Sequence, residues 1–167
     1  MFEADKCLDE VKRIHFIGIG GSGMCPLAEI LHSKGYILSG SDNNETDTLA
    51  RIRNLGIEVM LGQRAENING AEMIVYTAAI MADNPELIAA KSSGIPTFER
   101  SKLLGAVSRK FGNCIGISGT HGKTTTTSML TQMLINAGAD PSAVIGGKLP
   151  MTGTNGINGE SDIFVCE

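Results

Sequence analysis

Lys123 and Thr124 close the run Gly119-Thr120-His121-Gly122-Lys123-Thr124, which lies between an apolar stretch and a helix-like stretch. Backbone N–H groups around Thr120–Thr124 can cradle phosphate there. The Lys123 ammonium can neutralise charge on a transferred phosphoryl group, and the Thr124 hydroxyl can ligate Mg²⁺. Thr125 can add a further hydroxyl. The loop departs from the common phosphate loop, because two residues rather than four separate its first glycine from the Gly-Lys pair. Ile117 stands where the usual first glycine would fall.

A second glycine-rich run, Gly18-Ile19-Gly20-Gly21-Ser22-Gly23, precedes it by roughly a hundred positions. Gly18, Gly20 and Gly23 match G-x-G-x-x-G. The first glycine permits a tight turn, the second lets backbone approach a pyrophosphate, and the third allows close helix–strand packing. Asp42 fits the acidic residue expected about 20 positions further on. Alone, this pattern is compatible with a nicotinamide or flavin dinucleotide, and also with a turn that binds nothing. Asp42 has a second reading as a turn or helix cap. Together, the two loops point to an enzyme that brings a nucleotide-linked substrate to a nucleoside triphosphate.

The elements that must hold these loops alternate. Strands are expected at Arg13–Ile17, Tyr36–Ser39, Ile57–Leu61, Met73–Thr77 and Pro96–Phe98. Helices are expected at Met24–Ser33, Thr46–Asn54, Pro85–Ser93 and Ser101–Arg109, after a mobile or helical lead-in over residues 1–10. The pattern restarts near Gly112, with strands at Asn113–Ser118, Ala143–Ile145 and Ile163–Cys166 and a helix at Thr124–Ala137. Gly146–Ser161 reads as a loop. The fold class is therefore α/β, with a mainly parallel sheet whose strand-to-helix loops share one edge. The second region is too short to bury a core alone, so the chain is expected to be the front portion of a longer protein.

Composition narrows the classes further. Glycine accounts for 21 of 167 residues, but it falls in discrete loops rather than a repeat. The net charge of −4, with no basic run, argues against a nucleic-acid surface. No apolar run reaches the roughly 18 residues of a spanning helix, and the start lacks signal-peptide regions. A cytoplasmic location is expected. Cys7, Cys25, Cys114 and Cys166 are scattered, which disfavours disulfides and zinc and predicts buried or half-buried thiols.

The runs IHFIGIGGSGM, SGSD, DNPE, GTHGKTTTT and VIGG occur in this order from about residue 13 onward. Together they resemble the Mur ligases of peptidoglycan synthesis, in particular members that attach L-alanine to UDP-N-acetylmuramate. The resemblance implies a Rossmann-like UDP-sugar domain at residues 1–110. It also implies the start of a P-loop ATPase-type central domain at 111–167, with ATP and Mg²⁺ as cofactors. Gly18, Gly20, Gly21, Ser22, Gly23 and Met24 would hold the sugar nucleotide, with Asp42 near the uridine end. Thr77 keeps one hydroxyl of a strand-end Ser-Ser-Ala-Ile stretch that here reads Thr77-Ala78-Ala79-Ile80. Gly119, Thr120, His121, Gly122, Lys123, Thr124 and Thr125 would hold the ATP phosphates. Lys123, Thr124 and Glu167 would be catalytic, with Thr124 and Glu167 on Mg²⁺. His121 would either touch phosphate or fix its loop. Asn84 and Glu86 would either cap a helix or touch substrate, and Arg100 would meet substrate charge or pair on the surface. His15 and His32 read as structural. The isolated 167-residue chain is expected not to turn over. Two alternatives are a peptide-recycling ligase of the same family and a non-catalytic or NAD-type nucleotide-binding module.

Overall fold

The structure, a computed structural model, describes residues 3–167. Helix α1 (Glu3–Glu10) leads into β1 (Arg13–Ile17), α2 (Met24–Ser33), β2 (Ile37–Asp42), α3 (Asp47–Asn54) and β3 (Glu58–Leu61). β4 (Met73–Tyr76), α4 (Pro85–Ser92), β5 (Thr97–Glu99) and α5 (Arg100–Ser108) complete the first unit. Its five strands are all parallel, in the order β3-β2-β1-β4-β5. The strand order reverses on either side of β1, and ligands of open α/β sheets bind at such a switch point.

β1 is buried at four of its five positions, as a central parallel strand covered on both faces must be. Ile14 and Phe16 join a core with Leu27, Ile30 and Leu31 of α2. Ile17 takes the other face, with Leu87 and Ala90 of α4. Local chemistry sets the helix starts. Thr46 accepts from Leu49 N at the start of α3. Asn84 accepts from Glu86 N and Leu87 N at 3.0 Å, ahead of Pro85 at the first position of α4.

The second unit holds β6 (Asn113–Gly116), α6 (Lys123–Asn136), β7 (Ser142–Val144), β8 (Gly156–Ile157) and β9 (Ile163–Cys166). The strand order is β6-β9-β7-β8, parallel except for β8 on β7. This small sheet leans on the first unit. Val144, Phe164 and Cys166 share the core that contains α2, and Gly156 abuts Pro26 with no room for a side chain. Phe111 stacks on Phe164 with ring centroids 4.9 Å apart, and Lys34 Nζ lies 4.5 Å from the centroid of the Phe111 ring. Burial too small for independence is thus supplemented by a shared core.

Several expected bounds move. The second strand runs Ile37–Asp42, so Asp42 belongs to the strand end itself. The expected loop 146–161 contains β8, and Ala65–Ile68, for which no element was expected, forms a 3₁₀ turn. The strand expected over Asn113–Ser118 ends at Gly116. The lead-in is helical from Glu3, and its first two positions lie outside the described residues.

Candidate functional site

The first glycine run leaves β1 at the switch point. Gly18 has φ +82°, and a Cβ there would meet Thr77 Cγ2 at 3.1 Å, so the turn requires glycine both for its backbone angle and for its closeness to the end of β4. Gly18 N and Ile19 N both donate to Ser41 O, at 2.8 and 3.0 Å. Gly20 N donates to Asp42 Oδ2 at 3.0 Å, while Asp42 Oδ1 accepts from Asn44 N at 3.2 Å. Both Asp42 oxygens therefore brace local backbone, which is the turn-capping alternative for this residue. Gly23 precedes α2 and supplies no side-chain cap, but Met24 N and Cys25 N donate to Gly21 O at 2.9 and 3.0 Å and Pro26 has no N–H, so the amides of the turn that stay available to an anion are those of Ser22 and Gly23. Met24 is buried at the edge of this turn, with its N–H taken by Gly21 O.

The second glycine run follows β6. Gly122, with φ +77°, is the N-cap of α6. Lys123 Nζ donates to Gly119 O at 2.8 Å, which folds the lysine over its own loop. Thr124 Oγ1 donates to Glu167 Oε2 at 3.1 Å, and Glu167 Oε1 accepts from Gly146 N at 2.5 Å. Gly146, in the VIGG run, must be small, since a Cβ there would stand 2.9 Å from Glu167 Oε1. Thr120, His121, Thr124 and Thr125 are exposed, and Thr127 turns back onto Lys123 O.

A single cavity of about 490 Å³ joins the two loops. Ser22, Gly23, Thr77 and Arg100 line it from the first unit, and Lys123 and Glu167 from the second. Arg100 opens α5 and lies over Gly23, where a Cβ would stand 2.9 Å from its Nη1. The cleft thus presents two cations, Arg100 and Lys123, facing one carboxylate. Charge and position make Arg100 part of this site, a role that the sequence had left open. The hydroxyl of Thr124 and the carboxylate of Glu167 form a hard, oxygen-only pair. That donor set suits Mg²⁺, which takes one or two protein oxygens and completes its shell with substrate phosphate and water. Among the described residues, no group of three His, Cys, Asp or Glu could hold a metal.

Asn84 and Glu86 are committed to structure. Asn84 caps α4, and Glu86 is fully buried against His15 and Ser41. His15, also fully buried, is structural as expected. All four thiols are free. Cys7, Cys25 and Cys166 are buried and Cys114 is exposed. Burial, reinforced by Glu29, pushes the Cys25 thiol up to about 11, and burial beside Cys114 pushes Cys166 to about 12. Neither is an activated nucleophile, despite lying beside the loops. Among the described residues, no helix is long and apolar enough to cross a membrane.

Comparison with known proteins agrees with this architecture. Residues 13–112 match the model of the Mur ligase family, catalytic domain. A UDP-N-acetylmuramate–L-alanine ligase of Legionella pneumophila (strain Corby) is 49% identical over 96% of this chain. The chain spans 34% of that relative, so it covers about a third of the length of the curated relatives it matches. The UDP-N-acetylmuramate-alanine ligase structure from Thermotoga maritima superposes with TM-score 0.83 at 31% identity, covering 92% of this chain and 36% of that one. A UDP-N-acetylmuramate:L-alanyl-gamma-D-glutamyl-meso-diaminopimelate ligase from Neisseria meningitides gives 0.84 at 31%, covering 94% and 52%. The family match over the first sheet, together with relatives aligned through both glycine loops, establishes that this chain belongs to the Mur ligase family.

Proposed function

We propose that this chain is the sugar-nucleotide and phosphate-handling part of an ATP-dependent ligase that joins L-alanine to the carboxylate of UDP-N-acetylmuramate. The observation that carries this reading is the shared cleft, in which Arg100 and the Gly18–Gly23 turn face Lys123 and Glu167. A dinucleotide-binding module needs the first loop alone. A cleft that also carries a phosphate-loop lysine fits phosphoryl transfer between two ligands.

Amide formation from a carboxylate is uphill in water, and phosphorylation of that carboxylate by ATP offsets the cost. In this reading, the Gly18–Gly23 backbone and Arg100 hold the substrate diphosphate and aim the lactyl carboxylate toward Lys123. Lys123 leaves Gly119 O and neutralises charge spreading over the γ-phosphoryl oxygens. Thr124 and Glu167 hold Mg²⁺, which when bound neutralises further phosphate charge. The loops fix two polyanions in line, and this positioning supplies much of the rate. The amine of L-alanine then displaces phosphate from the acyl phosphate, through groups outside this chain.

The competing peptide-recycling reading has equal structural likeness, since both solved ligases are 31% identical with TM-scores of 0.83 and 0.84, while the curated relative at 49% identity is an alanine ligase. The test is phosphate release by the natural protein that contains this chain, with UDP-N-acetylmuramate, Mg-ATP and either L-alanine or the tripeptide. Release that depends on L-alanine is expected. Release that depends only on the tripeptide supports the recycling ligase, and preferential binding of NADH refutes both.

A further inference from the structure

Behind the first glycine loop lies a row of polar side chains that do not line the cleft. His15 on β1 and Ser39 and Ser41 on β2 point to the face covered by α4, with His15 paired to Ser39 and Ile17 to Ser41 in the ladder. His15 Nδ1 is 2.8 Å from Ser39 Oγ, and His15 Nε2 is 2.6 Å from Glu86 Oε1. Ser41 Oγ donates to Glu86 Oε2 at 2.6 Å. His15, Ser41 and Glu86 are all 0% exposed. Strands of a parallel sheet covered on both faces are ordinarily apolar, and a buried carboxylate is costly unless fully bonded. Apolar side chains of similar volume would serve packing alone as well or better. The first turn of α4 is where a carboxylate is best tolerated, because the helix dipole favours negative charge there.

Ser41 connects this row to the loop. Its hydroxyl is held by Glu86, and its carbonyl oxygen accepts from both Gly18 N and Ile19 N. On the opposite face of β2, Ile19 closes over Gly40, where a Cβ would stand 2.7 Å from two Ile19 carbons. The turn is therefore fixed from both sides of one strand. We propose that Glu86 is a positioning residue that acts through Ser41 to set the path of the Gly18–Gly23 turn, and with it the Ser22 and Gly23 amides, against the diphosphate of the sugar nucleotide. The inference rests on the reading of that turn as the UDP-sugar site.

The test uses the natural protein containing this chain and its variants Glu86→Gln and Ser41→Ala. Titration calorimetry measures the affinity for UDP-N-acetylmuramate and for Mg-ATP, and hydrogen exchange follows the amides of Gly18 and Ile19. Both variants are expected to bind the sugar nucleotide about tenfold more weakly, the scale of one lost charge-assisted hydrogen bond. Mg-ATP affinity stays unchanged, and exchange accelerates at Gly18 and Ile19 but not in α2 or β4. Wild-type sugar-nucleotide affinity in both variants overturns the proposal, as does a loss shared equally by Mg-ATP with uniform loss of protection. If Glu86→Gln does not fold, Ser41→Ala decides alone, since it removes one hydroxyl and keeps the carbonyl. A wild-type protein that ignores the UDP-sugar refutes the functional reading instead, and the exchange pattern still decides whether Glu86 sets the loop.

Discussion

Thr124 Oγ1 lies 3.1 Å from Glu167 Oε2, although 43 positions separate the two residues. One lies in the first turn of the helix after the phosphate loop, and the other follows β9, the strand paired to β6. Parallel pairing of β6 with β9 brings both to the same sheet edge. Glu167→Gln in the complete protein keeps the size of the side chain but weakens metal ligation. Turnover is expected to fall at least ~100-fold, as several kcal/mol of charge stabilisation would imply. Phosphate release titrated against Mg²⁺ checks this, and an unaltered Mg²⁺ dependence counts against the pair as a metal site.

Arg100 is the cation nearest the first loop. Arg100→Ala is expected to raise KM for UDP-N-acetylmuramate about tenfold and to leave KM for ATP unchanged, as loss of a charge-assisted contact to one ligand requires. Arg100→Lys restores only part of the loss, because an ammonium lacks the planar fork. Initial rates with each substrate varied in turn separate the two constants.

Much of this arrangement was legible in the residues. The apolar run Arg13–Ile17 followed by glycines, and the start at Gly122-Lys123, fixed both strand–loop–helix units because turn chemistry and periodicity agree there. The two-residue β8 was not legible. Gly156 and Ile157 carry no strand pattern, and their pairing depends on β7 and on contact with Pro26. Glu86 was ambiguous for a related reason, since burial of a carboxylate is decided by His15 and Ser41, which are distant in sequence. Arg100 gave only a charge, and the fold supplied its place over Gly23. Asp42 was found by its spacing from the glycines, while its bond to Gly20 N depends on the loop's path.

Gly40 tests how tightly the first loop is seated. Gly40→Ala pushes a methyl group into Ile19 and toward Phe16 O, at 2.7 and 2.9 Å. Overpacking of this kind costs about 1–3 kcal/mol. Gly116→Ala meets nothing within 4 Å and serves as the comparison, with an expected change within about 0.5 kcal/mol. Urea unfolding of both variants measures the difference, and equal midpoints contradict the close seating of Ile19.

Glu72 gives a pH dependence of stability. Lys12 N and Arg13 N donate to its Oε2 at 2.6 and 3.0 Å, and these backbone bonds hold its carboxyl below the ordinary 4.5. A depressed folded-state pKa contributes stability that is present above the unfolded value and lost as pH falls through the folded one. The stability difference between wild type and Glu72→Gln should therefore be largest near neutral pH and shrink below pH 4.5. Denaturation curves from pH 7 to pH 3 follow it, and a difference that grows in acid contradicts this assignment.

The most direct test is a crystal structure of the complete protein with UDP-N-acetylmuramate and a non-hydrolysable ATP analogue. The diphosphate is expected at the Gly18–Gly23 turn, against the amides of Ser22 and Gly23 and the Arg100 guanidinium, with the lactyl carboxylate facing the γ-phosphate beside Lys123. A sugar nucleotide bound elsewhere, with the Gly18–Gly23 turn vacant, would contradict the account.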